Sequence, residues 1–249
     1  MDKLKSEKSE GGGGLKKIEI PKIETRLEVK NEADSDVAEL YLYGFIRQAY
    51  WWDDEDDCIS AKRVRNSLKD LKGKPINVHI NSGGGDVFES IAICNLLKQH
   101  DADINMYIDS MAGSGASIIA TAGKNVYMFT NSMQMIHKAW TYAYGNADEL
   151  RKTAEDLDKI DTSVKASYMS KFVGTEEELE TLIADETYLT AEECLAFGLC
   201  TEILAEKEEE KEPENKLLTK VSLFEKYKVK AETPKETLFN KFKNKGEIK

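Results

Sequence analysis

The chain has 249 residues, 41% of them hydrophobic, with a formal net charge of −11, which is enough to close one full core and leave tails. An isoelectric point near 5.0 offers no basic face, so nucleic acid and anionic membrane surfaces are excluded as principal partners. No run approaches the roughly 18 apolar residues of a membrane helix, and the start of the chain lacks the apolar centre of a secretory signal, so a cytoplasmic protein is expected.

Residues 1–35 begin as a polar leader ending in Gly11, Gly12, Gly13 and Gly14, followed by an alternation at Ile18, Ile20 and Ile23 that allows an edge strand. Residues 36–204 carry continuous apolar periodicity. Residues 205–249 turn rich in lysine and glutamate, a solvated extension with room for one amphipathic helix at 221–227. Within the central domain, apolar runs of strand length occur at 38–46, 76–80, 104–108, 126–129 and 133–136. Helical patterns fall at 60–71, 87–98, 114–121 and 148–172. Strands alternating with helices predict an α/β fold, a mainly parallel sheet built of βαβ units. The four cysteines, Cys58, Cys94, Cys194 and Cys200, form no CxxC pair and read as buried thiols, with no metal site and no cofactor implied. The insert from Tyr50 to Asp57, with Trp51 and Trp52 among acidic residues, has no evident role.

In parallel sheets, sites form where strands end and helices begin. Two small-residue segments fall there. Ser82-Gly83-Gly84-Gly85 follows the 76–80 strand and precedes Asp86 at a helix start, leaving backbone N–H groups open to close approach. It lacks the lysine and Ser/Thr of a phosphate loop. Ala112-Gly113-Ser114-Gly115-Ala116-Ser117 follows the 104–108 strand and sets Ser114 at the start of an apolar helix. Ser114 there is either a helix N-cap or a nucleophile; Ser117, one turn on, faces the core. Of three histidines, His137 closes the apolar run Met133 to Ile136, whereas His79 lies inside a strand and His100 in a polar loop. A serine and a histidine so placed point to a serine hydrolase, whose base needs an acid from the segment 184–193 to fix its tautomer.

Five landmarks in series resemble the ClpP family of serine peptidases, in the form of phage and prophage prohead proteases. They are Tyr41-Leu42-Tyr43-Gly44-Phe45-Ile46, the run Ile80 to Val87, the run Ala112 to Ser117, Met135-Ile136-His137, and Leu189-Thr190-Ala191-Glu192-Glu193-Cys194 leading to Phe197-Gly198-Leu199. The resemblance implies a ClpP/crotonase-like fold with a long helix at 148–172, carrying Leu150, Leu157, Ile160 and Val164, that projects to join rings. It makes Ser114 the nucleophile and His137 the general base. Gly84 and Gly115 become oxyanion-hole donors, and Gly83 and Gly85 border the substrate. The third member is Glu186 by register or Asp185 by residue type.

Gly83 stands where the family usually has proline, which loosens the loop holding Gly84. The implied activity is endopeptidase cleavage of capsid or scaffold polypeptides during phage head maturation, in a homo-oligomeric ring, without an ATPase segment in the chain. Two alternatives stay open: a housekeeping subunit fed by an AAA+ unfoldase, and an inactive scaffolding protein that keeps the fold.

Overall fold

In the computed structural model, described over residues 25–52 and 57–204, the apolar runs become strands of one eight-stranded sheet. β1 (Arg26–Lys30) lies antiparallel on β2 (Ala38–Ile46). β3 (Ile76–Gly85), β4 (Ile104–Gly113), β5 (Asn125–Phe129) and β8 (Glu202–Leu204) continue the sheet in parallel. β6 (Met133–Ile136) pairs parallel with the end of β4 and antiparallel with β7 (Thr187–Thr190). The centre is therefore the expected parallel α/β sheet, with antiparallel strands, among the described residues, only at β1 and β7. The leader, the alternation at Ile18, Ile20 and Ile23, residues 53–56 of the insert and the 205–249 extension with its 221–227 helix lie outside the described residues.

Period-two alternation decides which face is covered. Leu40, Leu42, Val78, Ile80, Met106 and Ile108 are buried in one core with Ile93, Leu97, Ile119 and Val164 from the helices. The intervening Tyr41, Tyr43, His79 and Tyr107 are only partly covered, on the other face. The helices are α1 (Ala61–Lys69), α2 (Val87–Lys98), α3 (Gly115–Ala120), α4 (Ala147–Met169), α5 (Glu176–Ala184) and α6 (Ala191–Ala196).

β3 and β4 run past the expected 76–80 and 104–108. After a bulge, Phe45 and Ile46 pair with Gly84 and Gly85, and Met111 to Gly113 pair with β6. Ladder pairing needs only backbone, so glycine strands leave no hydrophobic signal. α4 starts with a capping box formed by Asn146 and Glu149. Its first turns, including Leu150, are exposed, while Val164 and Tyr168 are buried, so the helix projects from the sheet at its N-terminal half.

On the open face, His79 Nε2 lies 2.9 Å from Glu39 Oε2 and Nδ1 lies 2.9 Å from Asp109 Oδ2. Its ring stacks on Tyr41 and Tyr107. Two carboxylate acceptors require two N–H donors, so the imidazole is protonated. Burial works against that charge, but Asp109 and then Glu39 outweigh it and raise the pKa above its ordinary 6.5. Tyr43 also donates to Asp109, and Arg26 and Lys30 lie over Tyr41. The cluster's stabilisation is complete below the unfolded-state value of 6.5 and disappears as pH rises through the higher folded-state value. Urea unfolding midpoints are expected to fall across that interval in the wild type and to flatten in His79→Gln. Parallel pH profiles for the two proteins would remove the charged cluster.

Candidate active site

β4 ends at Gly113, and the chain turns into α3 through Ser114, whose φ of 53° and ψ of −124° are unfavourable for a residue with a Cβ. Such a conformation costs about 1–3 kcal/mol and persists only where its surroundings over-determine it. Here the Ser114 N–H donates to the Met135 carbonyl at 2.8 Å, and the Ser114 carbonyl accepts from Ser117 N–H at 3.0 Å. Ser114 occupies the N-cap position but its side chain makes no capping bond. Its Oγ lies instead 2.7 Å from His137 Nε2. The pairing of Gly113 with Met135 in the β4–β6 ladder is what brings these two side chains together. Ser117 is buried, so its hydroxyl is not a competing surface nucleophile.

The glycine run is held from beneath by Ser82, which is wholly buried. Its Oγ donates to the Gly44 carbonyl at 2.6 Å and accepts the Gly84 N–H at 3.0 Å. The Gly84 amide, one of the two expected donors, is thus engaged within its own loop. Gly83 and Gly85 border the groove over Ser114, as does Gly115. The Gly85 nitrogen lies 3.7 Å from where a Cβ on Gly115 would sit, which puts the two backbones side by side. A side chain at Gly115 would collide with Ser90, whose Oγ donates to the Asp86 carbonyl at 2.7 Å.

Register separates the two candidate acids. In the β6–β7 ladder Ile136 faces Thr187, so one further step sets Glu186 opposite His137. Glu186 has a φ of 51° and borders the groove. Asp185 instead ends α5, its N–H bonded to the Thr181 carbonyl at 3.0 Å. Among the described residues neither carboxylate hydrogen-bonds the His137 ring. Asp161 of α4 accepts the Ala139 N–H at 2.7 Å and so anchors the backbone just beyond His137. His79 sits in the cluster on the open face, and His100 Nε2 donates to the Lys74 carbonyl at 2.9 Å, so neither competes with His137.

Large apolar side chains border the groove, among them Phe45, Phe88, Met135, Trp140, Leu157 and Ile160. The first two and Trp140 are more than half exposed, unusual for such large apolar groups outside a binding surface. All four cysteines are buried and none is in a disulfide, and burial pushes the Cys200 thiol up to about 11, away from nucleophilic duty. The supporting contacts of Ser82, Asp161 and Ser117 leave no mark in the sequence, because short polar residues inside strands and helices give no periodic signal.

This arrangement has counterparts among known proteins. The family model described as Clp protease matches residues 57–207. The chain is similar to an ATP-dependent Clp protease proteolytic subunit of Ligilactobacillus salivarius (strain UCC118), 30% identical over 160 residues, which is 62% of this chain and 79% of the relative. It is also similar to a protein of the same description from Bacteroides fragilis (strain ATCC 25285), 28% identical over 138 residues, covering 54% of this chain and 66% of that one. With the match extending over most of the sheet, the nucleophile turn and the strand that ends at His137, the chain belongs to the Clp protease family.

Proposed function

We propose that this protein is a serine endopeptidase in which Ser114, His137 and Glu186 form the catalytic set. The observation that carries the reading is the 2.7 Å approach of His137 Nε2 to Ser114 Oγ, on a residue held at a φ of 53° whose side chain makes no capping bond. With its own hydrogen on Nδ1, His137 accepts the Ser114 proton at Nε2 as Oγ attacks a peptide carbonyl. The carbonyl oxygen gains the negative charge and is met by the Gly115 N–H, the first amide of α3 and one without an intrahelical acceptor, together with Gly85 in place of Gly84. His137 then returns the proton to the leaving amine, and a water molecule repeats the sequence to release the acyl group from Ser114. Glu186, one step beyond the β6–β7 ladder on the side of His137, closes onto Nδ1–H when substrate fills the groove.

The substrates are polypeptides laid against the apolar wall of Phe45, Phe88 and Trp140. We assign the activity to capsid or scaffold processing during phage head maturation, on the strength of the charged leader and extension and the motif wording of the sequence. The second reading, a subunit serving an ATP-dependent unfoldase, is favoured by the names of the curated relatives. Both involve rings, for which the exposed N-terminal half of α4 supplies a projecting surface.

Unfolded casein and a folded control, incubated with the purified chain without nucleotide, test the activity directly. Cleavage of casein by the wild type and not by Ser114→Ala supports it, and equal products from both refute it. Neighbouring genes for portal and major capsid proteins would favour the first role, and an adjacent unfoldase gene the second. Glu186→Gln is expected to lower kcat by about ten- to a hundredfold while Asp185→Asn stays within about twofold, measured on one peptide substrate. The reverse ranking would reassign the acid.

A further inference from the structure

Tyr168 heads the fully buried side chains of the core by volume, yet it carries a hydroxyl. It lies near the C-terminal end of α4, and its hydroxyl is 2.7 Å from Ser117 Oγ. Ser117 Oγ lies in turn 2.6 Å from the Ser114 carbonyl oxygen and 3.0 Å from the Met135 carbonyl oxygen. A serine hydroxyl has one hydrogen, and both carbonyls can only accept. Tyr168 therefore donates to Ser117, and the Ser117 hydrogen is shared between the two carbonyls. Burial raises the Tyr168 pKa, so the phenol stays a neutral donor.

The two carbonyls belong to the dyad's own supports. One is the carbonyl of the nucleophile residue, and the other accepts the Ser114 N–H two residues before His137. A single hydroxyl thus ties the strained turn of β4 to strand β6. Because the hydroxyl is itself held from α4, a third element reaches the turn. Fold stability does not demand this: replacing both partners of a buried hydrogen bond by apolar groups of the same shape is close to neutral.

We infer that Tyr168 and Ser117 are a positioning pair for the Ser114–His137 dyad, through which the placement of α4 is felt at the nucleophile. The inference rests on the serine-peptidase reading above. Since the N-terminal half of α4 is the projecting, exposed part of the helix, anything that docks there acts on the same lever from its far end.

The test uses the full chain with Tyr168→Phe, Ser117→Ala and the double variant, the last guarding against misfolding of either single. Three quantities are read: kcat, KM and the rate of Ser114 acylation by a fluorophosphonate. Each single is expected to lower kcat and acylation by about five- to twentyfold, the worth of one hydrogen bond, with KM within about twofold. The double variant should be no slower than Ser117→Ala, because both residues act along one path. Wild-type kcat and acylation in the singles, with Ser114→Ala dead, overturns the pair and leaves the dyad standing. If Ser114→Ala cleaves like the wild type, the dyad reading fails instead. The pair is then judged by the NMR titration of the His137 ring, which Tyr168→Phe must shift, and an unmoved titration removes it.

Discussion

Ser114→Ala is expected to reduce kcat/KM for peptide hydrolysis by about ten-thousandfold to a millionfold, with little change in the unfolding midpoint. In the proposed mechanism Ser114 Oγ is the attacking atom, and neither Ser117 nor a buried cysteine can replace it: Ser117 Oγ is committed to two carbonyls and Tyr168. The residual rate is expected from the proposed Gly115 and Gly85 donors, which would polarise a bound carbonyl toward attack by water. Stability is insulated because the Ser114 side chain makes no capping bond that the helix would lose. Initial rates on a fluorogenic peptide, with thermal melts of both proteins, provide the comparison. A loss below tenfold with an intact melt would mean that the nucleophile lies elsewhere.

Gly85→Ala should be the most damaging single methyl in the chain's glycine run. Gly85 has a φ of +150°, and a Cβ there would overlap the carbonyl oxygen of Ile46 and come within 3.0 Å of its nitrogen. Those are backbone atoms of β2, fixed because Ile46 accepts the Asp86 N–H at 2.8 Å and pairs with Gly85. Relief needs the β2–β3 ladder to open at the site, at a cost of about 2–6 kcal/mol when backbone strain and overpacking are summed. Gly83→Ala, by contrast, meets nothing within 4 Å. It should fall within about 0.5 kcal/mol of the wild type, as exposed substitutions usually do. Urea unfolding of the three proteins measures the difference, and equal midpoints would contradict the packing described here.

Much of this was legible in the residues. Buried strands of alternating or continuous apolar character, such as those at Leu40 and Leu42 or Val78 and Ile80, announce themselves because burial selects the side chains. So does a serine between small residues at a strand end, and a histidine closing an apolar strand. What failed to show is backbone. The strand character of Gly83 to Gly85 rests on ladder pairing that carries no side-chain signature. α5, β7, α6 and β8 are too short for a period to emerge, and they are fixed by capping at Thr175 and Thr190 and by pairing with β6 and β5.

At the site the gaps have the same origin. Gly84 looks like a free amide in sequence, but the direction of an N–H is set by its neighbour, and Ser82 claims it. Residue type favours Asp185 as the acid, whereas strand register favours Glu186, and register is a property of the folded β6–β7 pair. Ser117 and Tyr168 are 51 positions apart, so only the docking of α4 on α3 makes them partners.

In the proposed dyad with His137, Ser114 is the nucleophile. Treatment of the full chain with a fluorophosphonate, followed by peptide mapping of the adduct, tests it most directly. One phosphonylated residue is expected, Ser114, formed rapidly in the wild type and at least about a hundredfold more slowly in His137→Gln. An adduct on any other serine, or a rate at Ser114 that ignores the loss of His137, would contradict it.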